Sequence, residues 1–198
     1  MLRRIIAALL IILFAGPLFA SGSPVNRSQV TGTGPLPYNY RQIDTNFYAG
    51  GHPINPANSF GNTDEQVLSI LSYLKSKGVS TIIDLENTGS IQARYQRLLD
   101  QAGMTRIHIP LSSLKVPNAA EWATIKTALA GPVYVHCKWG ADRTGMVIAR
   151  YLVEEKGFTP DEAYAAVITG GRYAGPLGGF KKYIFNLELK NFIYDGVQ

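Results

Sequence analysis

The sequence predicts an α/β fold, with a mainly parallel central sheet of about four to five strands flanked by helices. Three observations carry this expectation. Short β-branched or apolar runs at residues 79–85, 105–109 and 133–136 alternate with helix-patterned segments of ten residues or more, the rhythm of crossovers between parallel strands. The run at 79–85 is a dense stretch of β-branched and apolar residues, which fits a buried parallel strand. Helix start and stop signals bracket the segments between the runs. The length of 198 residues and an apolar fraction of 46% suit one domain, and neither a repeat nor a second boundary is visible.

Residues 1–22 read as a secretory signal. Arg3 and Arg4 form its charged start, residues 5–19 its apolar core, and Ala20-Ser21-Gly22 its small-residue end. The core falls short of the roughly 20 residues a spanning helix needs, and Gly16-Pro17 interrupts it. Cleavage after Gly22 places Ala20 and Gly22 at the two small-residue positions; the alternative is an uncleaved anchor. Either way the domain is exported, to the periplasm or beyond it, or held on the membrane's non-cytoplasmic side. Residues 23–37, rich in Ser, Gly, Thr, Asn and Pro, form a flexible lead-in to a domain spanning 38–198.

Residues 39–44 and 47–53 predict a short strand or ribbon ending in a Gly50-Gly51 turn, followed by a loop at 54–61. Thr63 with Gln66 three positions on is a capping pair, Val67, Ile70, Leu71 and Leu74 follow at helical spacing, and Gly78 stops the helix. After the strand at 79–85, a helix over 91–102 ends at Gly103, and a strand over 105–109 ends at Pro110. Asn118 caps a helix that Gly131-Pro132 stops, and 133–136 is the next strand. The following helix runs over 144–155. Another opens at Thr159-Pro160 with Asp161 and Glu162 in its first turn. A glycine-rich loop at 170–179 precedes a last amphipathic helix at 180–193.

The net charge of +5 is modest, and no basic run appears, so nucleic acid is not an expected partner. The single cysteine excludes an internal disulfide and a multi-thiolate metal site. His52, His108 and His136 lack ligand spacing, and no metal or other cofactor is expected.

That cysteine stands at the end of the strand at 133–136, in the stretch His136-Cys137-Lys138-Trp139-Gly140-Ala141-Asp142-Arg143-Thr144-Gly145. Strand, tight loop and helix in this order aim backbone N–H groups and a helix N-terminus at an anion. The same field draws a thiol toward thiolate. An arginine beside a helix N-terminus opposes the macrodipole, so Arg143 makes most sense with an anion between it and the amides. Its guanidinium grips two oxygens at once. Gly140 and Gly145 let the loop turn tightly. Thr144 is placed to cap the helix and to donate to the cysteine sulfur. A phosphate cradle with a nucleophile at its floor is the reading these residues support.

His136-Cys137, five residues, then Arg143-Thr144-Gly145 resembles the signature loop of the cysteine-dependent protein tyrosine phosphatases, closest to the small dual-specificity branch. Collinear pieces agree: residues 47–53, 78–85 and 109–111 resemble that group's opening segment, first core strand and the strand end leading to its acid loop, and the signal segment is similar to that of periplasmic bacterial members. The resemblance implies a phosphatase-like domain over 38–198 that acts on a phosphorylated protein or a phosphorylated small molecule or lipid. It implies that Cys137 attacks phosphorus to form a phosphocysteine. The Arg143 side chain and the amides of Lys138, Trp139, Gly140, Ala141, Asp142 and Arg143 bind the equatorial oxygens. His136 supports the thiolate, and Thr144 supports it as a leaving group.

The family places an aspartic acid on the loop after Pro110, but residues 111–118 hold neither Asp nor Glu. General acid help is worth about 10²–10⁴-fold. Asp142, inside the cradle, is one replacement; its other role is to favour the helix dipole or hold Arg143. Glu121 is a second. A third course uses no side chain and favours a phenolate leaving group. Lys138 adds charge at the mouth, as a lipid phosphatase would use it, or is simply solvated. Trp139 is a candidate pocket wall or packs under the loop, and Arg172 and Tyr173, in the late glycine-rich loop, are rim candidates on which the reading does not rest. Three functions therefore stand: a protein tyrosine or dual-specificity phosphatase, a phosphoinositide or inositol-phosphate phosphatase, and a pseudoenzyme that binds phosphorylated ligands.

Overall fold

Among the described residues, five strands form one sheet: β1 (Arg41–Asp44), β2 (Phe47–Gly51), β3 (Thr81–Asp84), β4 (Thr105–His108) and β5 (Val133–Cys137). Their order is β1-β2-β5-β3-β4. β2 and β5, β5 and β3, and β3 and β4 pair parallel, while β1 and β2 form an antiparallel hairpin at the edge. The computed structural model describes residues 30–112, 115–167 and 187–195. The mainly parallel sheet expected from the sequence is present, with its most buried strand, β5, in the middle.

Among the described residues, six α-helices cover the sheet: α1 (Asp64–Ser76), α2 (Gln92–Ala102), α3 (Ala119–Leu129), α4 (Asp142–Lys156), α5 (Pro160–Val167) and α6 (Leu187–Tyr194). Side chains alternate across each strand, and this sorts the core in two. Val133 and Val135 of β5 with Ile83 of β3 join α3, α4, α5 and α6 on one face. Tyr134 and Ile82 join Val67, Ile70, Leu71 and Leu74 of α1 and Tyr95, Leu98 and Leu99 of α2 on the other. Each such aliphatic side chain contributes about 1.5–3 kcal/mol by leaving water. The predicted caps are made: Thr63 with Gln66 and Asn118 with Glu121 form reciprocal capping boxes, and Gly103 ends α2 at φ 64°. Among the described residues, no helix is long and apolar enough to cross a membrane. The signal segment, residues 23–29 of the lead-in, the glycine-rich loop with Arg172 and Tyr173, and the first residues of the last predicted helix lie outside the described residues.

Two local expectations are corrected. Gly50 and Gly51 make no turn; they are the last residues of β2, paired with His136 and Cys137. A Cβ on Gly50 would lie 2.4 Å from Tyr134 Oη, so packing rather than turning demands glycine there. The helix after Cys137 starts at Asp142, two residues earlier than expected, so its cap is Ala141 and not Thr144.

Candidate active site

Parallel pairing brings the C-terminal ends of β2, β3 and β5 to one edge, where ligands of open α/β sheets bind. Cys137 ends β5 and is 2% exposed. Residues 138–141 then turn the chain into α4. Ala141 (φ −100°, ψ −97°) brings no side-chain acceptor to that helix start. The first-turn N–H groups of α4 are thus not taken up by a side-chain cap, the ordinary condition of an anion site.

Arg143, in that first turn, reaches across to the ends of β3 and β4. Its Nη1 donates to the carbonyls of Leu85 (2.8 Å) and Leu111 (2.7 Å), and its Nη2 to Glu86 Oε2 (2.9 Å). Of the five guanidinium N–H groups, these bonds use three and leave the Nε–H and one Nη2–H for a ligand. Burial works against the charge, but Cys137 and Glu86 beside it outweigh this and push the arginine's pKa up. Glu86 is held in turn by Thr88, whose N and Oγ1 donate to Oε1.

Behind Cys137 lies a buried polar layer. His136 Nε2 meets Tyr95 Oη at 3.0 Å, and His136 Nδ1 lies 3.6 Å from Asp84 Oδ1. Arg106 donates to Asp84 Oδ2 from both Nε (3.1 Å) and Nη2 (2.5 Å). Burial would raise the Asp84 carboxyl, but the adjoining His136 and His52 rings and the Arg106 guanidinium overcome that and hold it low. His52, Asp84 and His136 bring ligand-type atoms within 4.8 Å of one another. However, Ile54 N donates to His52 Nδ1 (3.1 Å), so the neutral ring carries its proton on Nε2 and offers no lone pair there. With Asp84 already spanned by Arg106, this donor set suits a hydrogen-bond network and does not suit a cation.

Both buried rings make the fold acid-sensitive. Burial, the leading cause for each, drives the pKa of His52 and His136 below the ordinary 6.5; Asp84 opposes this, while Arg106, and for His52 also His136 and His108, reinforce it. The unfolded chain therefore binds more protons below about pH 6.5, and stability present above that pH is lost as pH falls. The slope is about 1.4 kcal/mol per pH unit for each ring that stays neutral. Urea midpoints at pH 7 and pH 5 should differ accordingly, and His52→Gln should reduce the difference. Asp44 does not confound the comparison. Burial pulls its carboxyl up, but hydrogen bonds from Lys156 and Tyr151 prevail and hold it at about 2, so its contribution disappears only as pH drops below about 4. Equal midpoints at the two pH values would contradict this account.

Of the residues singled out in the sequence, Cys137, Arg143, His136 and Thr144 meet at this edge. Thr144 is fully buried and its Oγ1 has no hydrogen-bond partner. The expected capping role is absent because the residue sits inside the helix. Asp142 is half-buried at the first position of α4. Glu121 is engaged elsewhere: its Oε2 accepts from Asn118 N (2.8 Å) in the cap of α3. At the mouth, Lys138 Nζ stands 5.1 Å over the Phe60 ring, and Trp139 meets Tyr38 edge-on at 5.7 Å. Gly140 is left-handed (φ 65°), and a Cβ there would lie 2.2 Å from Gly50 C. Sequence reasoning missed Glu86, Asp84, Tyr95 and Asn39. A charge closing an apolar strand was the only available signal for Asp84 and Glu86. Asn39 and Tyr95 carry none.

A buried thiol at a strand end, an arginine on the next helix turn and a left-handed glycine between them form an arrangement able to hold a phosphoryl group beside a thiol. The comparisons agree. Residues 61–157 match the family described as "Tc-R-P: Polymorphic toxin system, DSP-PTPase phosphatase". The chain is 26% identical over 176 residues to the dual specificity protein phosphatase TpbA of Pseudomonas aeruginosa, covering 86% of this chain and 72% of that one. It is 25% identical over 132 residues to phosphatidylglycerophosphatase and protein-tyrosine phosphatase 1 of Rattus norvegicus, and this match spans 65% of either chain. The crystal structure of P. aeruginosa TpbA superposes with a TM-score of 0.55 at 19% identity, covering 81% of this chain and 85% of that one. That of PTPMT1 gives 0.53 at 21%, covering 79% and 95%. Residues 61–157 thus match a dual-specificity-type phosphatase family, the chain is similar to curated phosphatases of the cysteine-dependent protein tyrosine phosphatase group, and the crystal structures share its fold.

Proposed function

We propose that the protein hydrolyses phosphomonoesters through a phosphocysteine at Cys137, with phosphotyrosine in proteins as its main substrate and dual specificity as its wider range. The observation that carries this is the anchoring of Arg143. Three donors are fixed to Leu85, Leu111 and Glu86, so its remaining two are preorganised for the oxygens of a phosphoryl group facing Cys137. Electrostatic preorganisation of this kind is where phosphoryl-transfer catalysis resides. The Cys137 sulfur forms a bond to phosphorus as the ester oxygen leaves. Arg143 and the loop amides carry the equatorial charge. Asp142 protonates the leaving oxygen, and water then breaks the phosphorus–sulfur bond. The unpartnered Thr144 hydroxyl supplies a hydrogen bond to the departing thiolate, and His136, held by Tyr95, keeps the loop in place. Trp139 and Tyr38 supply an aromatic wall for a phenyl ring. The relatives' names, a dual specificity protein phosphatase and a protein-tyrosine phosphatase, support the same substrate class.

A second reading rests on Lys138. Its ammonium is kept at the mouth by Phe60, a position from which it meets a second anionic group, and one relative's name includes phosphatidylglycerophosphatase. That reading makes the substrate a phosphoinositide or inositol phosphate. Phosphate release from phosphotyrosine peptide, phosphoserine peptide and phosphoinositide vesicles, beside Cys137→Ser and Asp142→Asn, separates the readings. The proposal expects the fastest release from phosphotyrosine. It expects Asp142→Asn to lose about 10²-fold or more and to flatten the alkaline limb of the pH profile. Faster release from phosphoinositide would favour the second reading. Ligand binding without release above the Cys137→Ser background would make the protein a binding module. An unchanged rate and profile in Asp142→Asn would remove Asp142 as the acid. Export directed by residues 1–22 is part of the proposal; recovery of the chain only in the cytoplasm, with its N-terminus intact, would overturn it.

A further inference from the structure

A cradle of amides needs its carbonyls turned away, because N–H and C=O of one trans peptide point in opposite directions. Three successive loop carbonyls are tied on the outer side by the N-terminal hairpin region. Lys138 O accepts from His52 N (3.0 Å), and Trp139 O and Gly140 O accept from the two hydrogens of Asn39 Nδ2 (3.2 and 3.1 Å). The amides sharing those peptides, of Trp139, Gly140 and Ala141, therefore face the opposite way, toward the anion side. Asn39 is built for this task. It is 2% exposed and sits at φ 54°, a left-handed conformation that asparagine tolerates better than most residues. Its own carbonyl accepts from Arg41 Nη1 (3.0 Å). It lies outside the stretch 61–157 that matches the family.

We propose that Asn39 is a positioning residue of the anion cradle, aiming the Gly140 and Ala141 amides at the bound phosphoryl group by holding the Trp139 and Gly140 carbonyls outward. The inference rests on the phosphatase reading of the site. Asn39→Asp keeps the shape but turns an acceptor toward both carbonyls, whereas Asn39→Gly keeps the left-handed backbone and removes the amide. Inorganic tungstate binding by calorimetry reads the cradle without turnover. Both variants should bind tungstate at least about 10-fold more weakly, and kcat should fall about 10²-fold, the scale of a 1 Å misplacement. Arg106→Gln, which disturbs the buried layer without touching these carbonyls, serves to separate general loosening: its tungstate affinity should fall less than that of either Asn39 variant. In the wild type, the Gly140 and Ala141 amide resonances should shift on tungstate addition, a test needing no variant. Wild-type tungstate affinity and turnover in a folded Asn39→Asp or Asn39→Gly, or unmoved Gly140 and Ala141 amides, would overturn the proposal. A wild-type protein that neither binds tungstate nor releases phosphate would instead overturn the phosphatase reading.

Discussion

Arg143→Lys should lower kcat/KM for an aryl phosphate by about 10³-fold, with most of the loss in kcat. A lysine keeps one positive charge but offers it as a point, without the planar fork that anchors on one side and grips on the other. In the protein the guanidinium is placed for both: Leu85 O, Leu111 O and Glu86 fix it, and two N–H groups remain for the oxygens of the proposed substrate. The substitution also leaves buried acceptors unsatisfied, at about 1–3 kcal/mol for each. Arg143→Met would be worse for the fold than Arg143→Lys, because Glu86 would become a buried charge without its partner, a change of about 3–5 kcal/mol. Steady-state kinetics with urea unfolding of the two variants checks both parts. An Arg143→Lys enzyme within a few-fold of wild type would show that the fork is not used.

Gly140→Ala should remove activity by about 10²-fold or more and destabilise the fold by several kcal/mol. The added Cβ would lie 2.2, 2.3 and 2.6 Å from Gly50 C, Gly50 O and Gly51 N, all backbone atoms that cannot swing aside. It would also be held at φ 65°, which costs an alanine about 1–2 kcal/mol by itself. Gly157→Ala isolates that second part. Gly157 closes α4 at φ 69° with nothing within 4 Å of its would-be Cβ. It should therefore lose only the backbone share of stability and keep full activity. Equal effects at the two glycines would mean that the loop is not pressed against β2.

The contrast between these residues shows what was legible beforehand. Cys137 and Arg143 stand six positions apart in one strand–loop–helix, so spacing alone exposes them, and the parallel sheet follows from short strand-like runs alternating with helix-patterned segments. Gly50 and Gly51 read as a turn because the reason for them lies about ninety positions away, in Gly140 and Tyr134. Thr144 read as a cap because hydroxyl residues usually are caps, while Ala141, with no capping side chain, holds that place next to the proposed anion cradle. Glu86 and Asn39 act through pairings that only the sheet order creates, between β3 and α4 and between the hairpin and the signature loop. No local pattern encodes such pairings.

The central claim is that Cys137 carries the phosphoryl group, and rapid acid quench of the enzyme during turnover of an aryl phosphate, followed by peptide mass analysis, tests it most directly. The account predicts a mass gain of one phosphoryl group on the peptide containing Cys137, absent in Cys137→Ser together with the turnover. Turnover that survives in Cys137→Ser, or a phosphoryl group found on any other residue, would contradict it.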